Sequence, residues 1–119
     1  MFEIKVKTTF SAAHNLKNYR GKCERLHGHN WVVEAVFQYT HLDKEGLAVD
    51  FKIAKEILIE SIEPLDHAYL NDLEPLKKIN PTSENIAKFI YDSVKARNKD
   101  LSAVSVWEND TSCATYTEG

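Results

Sequence analysis

Residues 30–40 read NWVVEAVFQYT, with Trp31, Val33, Ala35, Phe37 and Tyr39 at every second position. A period of two belongs to a pleated strand, whose successive side chains point to opposite faces. The stretch is therefore committed to a long strand with one buried face. An amphipathic helix would repeat its apolar residues every three to four positions instead. Residues 2–10 alternate as well, with Phe2, Ile4, Val6 and Phe10 on one side, and read as a strand. Residues 103–108, AVSVWE, predict a third strand, and CATYTE close behind predicts a fourth.

Between the two pairs of strands the period changes. HLDKEGLAVDF supplies a turn and a short extended piece, and Asp50 can cap a helix through Phe51, Ile53, Ile57 and Leu58. Pro64 ends that helix. A second follows PTSEN, capped by Thr82 or Ser83, with Ile86, Phe89, Ile90 and Val94 at helical spacing. The order is ββααββ, which predicts an α+β fold: an antiparallel sheet with two helices on one face. A four-stranded sheet leaves two open edges, and continuing it through a neighbouring subunit would remove them.

The 119 residues make one domain, 1–119, large enough for a core without disulfide staples. A net charge of −3 argues against general nucleic-acid binding. No apolar run approaches the roughly 20 residues that span a bilayer, so no membrane partner is expected. The opening MFEIKVKTTF alternates and does not read as a signal peptide, so a cytoplasmic location is expected. There Cys23 and Cys113 are expected as free thiols, Cys113 as a buried apolar one.

CERLHGHN, residues 23–30, carries the chemistry. On a strand His27 and His29 share a face, with Gly28 on the other. Two convergent imidazoles begin a metal site, and a catalytic zinc often takes three protein ligands and an open position. His41 would lie about 40 Å along the strand from His29, too far to help. His14 follows the first strand, and antiparallel pairing of strands one and two would bring it beside His27 and His29. His67, preceded by Asp66, could be a proton-transfer group. Cys23 could instead close a structural site of three histidines and one cysteine.

FSAAHNL, CERLHGHNW, LDHAYLND, NPTSENIA and VWEN, in this order over nearly the whole chain, resemble the 6-pyruvoyltetrahydropterin synthase family. The nearest branch is the bacterial 6-carboxytetrahydropterin synthases of queuosine and deazapurine biosynthesis. The resemblance implies the tunnelling fold, in which ββααββ subunits join their sheets around a ring. It implies a homo-oligomer, a hexamer of two stacked trimers with active sites between subunits. The family's zinc ligands match His14, His27 and His29, and its catalytic cysteine matches Cys23. Its Asp-His pair matches Asp66 and His67, which in relatives reach the site from a neighbouring subunit. Its pterin-anchoring glutamate matches Glu108, with Thr82 and Ser83 in the segment that helps hold the pterin.

The implied substrate is 7,8-dihydroneopterin triphosphate. The implied reaction eliminates triphosphate, cleaves the side chain, releases acetaldehyde and needs Zn2+ but no redox cofactor. Lys17, Arg20, Lys22 and Arg25 crowd the loop before HGH and suit a triphosphate or a solvated surface equally. Glu24 follows the matched cysteine, close to where some relatives carry a glutamate in its place and make 6-hydroxymethyl-7,8-dihydropterin. Glu24 is thus a candidate second base, and a pyruvoyl or a hydroxymethyl product stays open. A non-catalytic zinc- or pterin-binding oligomer is the reading outside this class.

Overall fold

The computed structural model describes residues 1–18, 20 and 24–119. Strands β1 (Phe2–His14) and β2 (His27–Tyr39) form an antiparallel hairpin, paired from Phe2 opposite Tyr39 to His14 opposite His27. Both run further than the apolar alternation alone predicts, so His14, His27 and His29 are strand residues. Trp31, Val33, Ala35 and Phe37 are fully buried, as their spacing requires.

Asp50 caps helix α1 (Phe51–Ile62) by accepting the Lys52 N–H at 2.9 Å. Pro64 lies in the 3-10 turn that ends it. Residues 41–50 form turns rather than an extended piece, because the Asp43 carboxylate accepts from the Glu45 and Leu47 N–H groups. Thr82, rather than Ser83, caps helix α2 (Ser83–Arg97), its hydroxyl accepting from the Asn85 N–H at 3.1 Å.

The predicted ββααββ order is present with one addition. Strand β3 (Ala68–Tyr69) pairs parallel to β1, opposite Ala12 and Ala13. Strands β4 (Leu101–Asn109) and β5 (Ser112–Tyr116) complete the order β3-β1-β2-β4-β5, so the sheet is mixed rather than purely antiparallel. The cause is local. His67 N–H donates to the Ser11 carbonyl at 2.6 Å, and Ser11 N–H donates to Asp66 at 3.0 Å. The chain is thereby held alongside β1 for two residues.

Both helices cover one face of the sheet. Leu58, Leu65, Ile86, Ile90 and Val94 bury there against Trp31, Phe37, Val104 and Val106. Each such side chain contributes about 1.5–3 kcal/mol. One expectation is corrected, and the exposure of α1 is uneven. Cys113 is exposed, because it lies on the edge strand β5, which no further strand covers. Phe51 and Ile53 open α1 at 65% and 52% exposure, because the buried stripe of that helix is Ala54, Leu58, Ser61 and Ile62. Among the described residues no helix is long and apolar enough to cross a membrane.

Candidate active site

The hairpin register decides the site. His14 stands opposite His27 and Ala12 opposite His29, so the three imidazoles share one face at the same end. Their ring centroids lie 4.7 to 5.2 Å apart. Trp31 backs them edge-on, 4.9 Å from His14 and 5.2 Å from His29, with its indole N–H donated to the Ala12 carbonyl. Glu108, near the end of β4, brings a carboxylate oxygen 3.0 Å from His14 Nε2 and 3.2 Å from His29 Nε2. The ligand atoms of His14, His27, His29 and Glu108 all lie within 4.8 Å of one another.

The tautomers are set from behind. His14 Nδ1 contacts the Pro81 carbonyl at 2.8 Å, and His27 Nδ1 contacts the Arg25 carbonyl at 2.7 Å. A carbonyl can only accept, so both Nδ1 atoms carry the proton and both Nε2 lone pairs face the cluster. Burial holds His29 below its ordinary pKa. The Glu108 carboxylate opposes this, and the neighbouring His27 and His14 rings add to the lowering. The net effect favours the neutral ring, the form that binds a metal. His14 Nε2 and His29 Nε2 are buried without a hydrogen-bond partner. Two orphaned nitrogens beside a carboxylate, in a set of three imidazoles and one carboxylate, fit a zinc ion.

His14 and Glu108 of the cluster line a cavity of about 490 Å³, together with Lys17, Arg20, Thr82 and Ser83. The family model described as 6-pyruvoyl tetrahydropterin synthase matches residues 3–119. The chain belongs to that family. It is 31% identical to the 6-carboxy-5,6,7,8-tetrahydropterin synthase of Haemophilus influenzae, over 99% of this chain and 100% of the relative. It is 37% identical to the enzyme of the same name from Synechocystis, over 98% of this chain and 93% of that one. Its fold is that of the Caenorhabditis elegans 6-pyruvoyl tetrahydropterin synthase, with a TM-score of 0.85 at 24% identity, covering 99% and 96% of the two chains. The expected tunnelling fold is therefore present, and the protein is a pterin synthase by family.

The other residues picked from the sequence fall in several places. Thr82 and Ser83 line the cavity beside Glu108. Of the basic loop residues, Lys17 and Arg20 line it, Arg25 is exposed, and Lys22 lies outside the described residues. Cys23 also lies outside them. Glu24 accepts the Leu16 N–H at 3.2 Å through its carboxylate and donates its own N–H to the Leu16 carbonyl at 2.9 Å. Its carboxylate lies 3.9 Å from His27 Nδ1, the side of that ring turned away from the cluster.

Asp66 and His67 do not join the cluster. His67 lines a different cavity from the one that His14 and Glu108 line, together with Ser11, Ala12, Gly28, Asn30 and the cluster residue His29. Its ring is 83% exposed and 3.1 Å from the Asp66 carboxylate. Its backbone sits at φ 58°, a left-handed conformation uncommon outside glycine. The Ser11 N–H, and after it the His67 ring, hold the Asp66 carboxyl below the usual range.

Sequence reasoning missed two asparagines. Asn71, 3% exposed, accepts the Asn15 N–H at 3.0 Å and donates to the Asn15 carbonyl at 2.7 Å. Asn80 does the same for Lys17, at 2.6 and 2.8 Å. Each side-chain amide imitates a neighbouring strand, and together they strap the segment that leaves His14. The one signal was the turn-forming Asn80-Pro81 pair, which named no partner.

Proposed function

We propose that this protein is a zinc-dependent lyase that converts 7,8-dihydroneopterin triphosphate, with uptake of one water, to 6-carboxy-5,6,7,8-tetrahydropterin, releasing acetaldehyde and triphosphate. The observation that carries this reading is the convergence of His14, His27, His29 and Glu108, with His14 and Glu108 bordering a cavity. The names of the 6-carboxytetrahydropterin synthase relatives point to the same product.

Zinc, when bound, would polarise the side-chain oxygens of the substrate and acidify the adjacent carbon protons. The remaining work falls to the chain. Cys23, four residues before His27, would accept a carbon proton as a thiolate. Glu108 offers two acceptor oxygens that match the ring N–H and amino group of a pterin. Thr82 and Ser83 line the same cavity, and Lys17 and Arg20 supply positive charge for the triphosphate.

His67, oriented by Asp66, would relay the second proton. Because that pair stands outside its own metal cluster with the His67 ring exposed, it would serve the site of a neighbouring subunit. The matching assembly is a homo-oligomer, a hexamer formed as a dimer of trimers. The outer edge of β1 before Ala12 and the outer edge of β5 support it, since neither is paired by another strand among the described residues. Glu24 already holds Leu16, which supports a loop-holding role over that of a second base.

The test is incubation of zinc-loaded protein with 7,8-dihydroneopterin triphosphate and mass spectrometry of every product. The expected result is 6-carboxytetrahydropterin with one equivalent of acetaldehyde. A pyruvoyl or hydroxymethyl pterin as the main product would overturn the product assignment. Unchanged substrate would overturn the enzymatic reading.

A further inference from the structure

We propose that Glu108 is a displaceable fourth metal ligand, bound while the cavity lacks substrate and released when substrate oxygens arrive. This rests on the zinc reading and adds to it a closed resting site in place of a permanently open one. His14 Nδ1 is engaged by the Pro81 carbonyl, so in the neutral ring His14 Nε2 offers only a lone pair. The Glu108 oxygen 3.0 Å away is also an acceptor. Two acceptors at that distance repel unless a cation lies between them.

A proton does not meet the need. Neither His14 Nε2 nor His29 Nε2 makes a hydrogen bond, although the carboxylate is 3.0 and 3.2 Å away. A metal meets the need. Ligand atoms of a tetrahedral zinc site lie about 3.3–3.5 Å apart, given zinc–ligand bonds of about 2.0–2.2 Å. The two measured separations are close to that.

The four donors differ in how firmly they are held. His14 is walled in by Trp31 and pinned at Nδ1, and His27 is pinned at Nδ1. The Glu108 side chain is 35% exposed, lines the cavity, and leaves β4 where the register with β5 shifts between Trp107 and Asn109. A carboxylate already in contact with water leaves at low cost. Once free, it still faces the cavity as an acceptor, so one side chain closes the resting site and then receives the ligand.

The experiment compares wild type, Glu108→Gln and Glu108→Ala by zinc competition with a chromophoric chelator and by the visible spectrum of the cobalt(II) forms. Circular dichroism confirms the fold of each variant. Both variants are expected to bind zinc at least tenfold more weakly, with shifted cobalt bands. Neopterin, added as a non-reacting probe to cobalt-loaded wild type, should move its bands and leave those of Glu108→Ala at a common endpoint. Wild-type affinity and spectra in both variants would overturn the ligand role. A neopterin-bound wild type with unmoved bands would overturn displacement. Either failure leaves the zinc-lyase reading standing if wild type binds zinc and turns over; only a wild type that binds no zinc removes both.

Discussion

Asn71→Ala tests whether the strap behind His14 is a fixed part of the site. Asn71 is 3% exposed and makes two hydrogen bonds to the backbone of Asn15, the residue after His14. Each bond is worth about 1 kcal/mol net, and a buried group left without a partner costs about 1–3 kcal/mol more. Tyr69 donates to the Asn15 side chain and cannot replace the lost backbone partners. The substitution should therefore cost about 2–4 kcal/mol. Asn80→Ala removes the same pair of bonds from Lys17, but at the surface, where water takes over. It should cost less than about 1 kcal/mol. Urea unfolding of metal-free protein at one fixed protein concentration measures both, since assembly makes stability depend on concentration. Zinc titration should show about tenfold weaker binding in Asn71→Ala, the range seen when support behind a ligand is lost. Equal costs for the two variants would refute the claim that burial, rather than the number of bonds, sets the strength of each strap.

The metal assignment predicts that His14→Ala, His27→Ala and His29→Ala each lose most bound zinc by elemental analysis, while His41→Ala keeps it; full occupancy in any of the first three removes that residue from the ligand set. Tyr91, 2% exposed, has its phenol pushed up to about 12 by burial first and by Glu118 second. The folded state favours the neutral phenol, so this stability is complete below about pH 10, the unfolded value, and is lost as pH rises through about 12. Absorbance at 295 nm with circular dichroism should show Tyr91 ionising together with alkaline unfolding, and Tyr91→Phe should move that midpoint upward; an unmoved midpoint places the alkaline transition elsewhere.

What could be read in advance followed from periods and pairing. Alternation over residues 30–40 named the buried face of β2, and antiparallel pairing of its start with the end of β1 put His14 beside His27 and His29. Both inferences use only the backbone geometry of neighbouring strands. What could not be read depends on single side chains reaching the backbone far along the chain. Asn71 meets Asn15, and Asp66 meets Ser11, each 55 or more residues away, and asparagines and aspartates carry no period that foretells such a partner. Strand β3 has two residues, too short for any alternation. The exposure of Phe51 and Ile53 was not legible either, since apolar character alone does not tell which face of a helix meets the sheet.

The same distinction bears on how one chain is built for a shared site. The hairpin strands have 13 residues each, about 43 Å of extended chain, and the molecule measures 56 by 28 by 27 Å. Its radius of gyration of 15.3 Å exceeds the roughly 13.5 Å of a compact domain this long. The excess is the hairpin, longer than the helices that cover it. At its histidine end His14, His27 and His29 converge with Glu108, while His67, held at φ 58° with its N–H donated to the Ser11 carbonyl, stands outside that cluster. A strained residue held by strong backbone contacts but exposed in its own chain is costly for that chain alone. The cost is accounted for if a second copy, adding its strands along the open edge, brings its own metal cluster to the face that His67 presents. Each protomer would then supply a metal cluster to its own site and a proton relay to its neighbour's, and neither site would be complete alone.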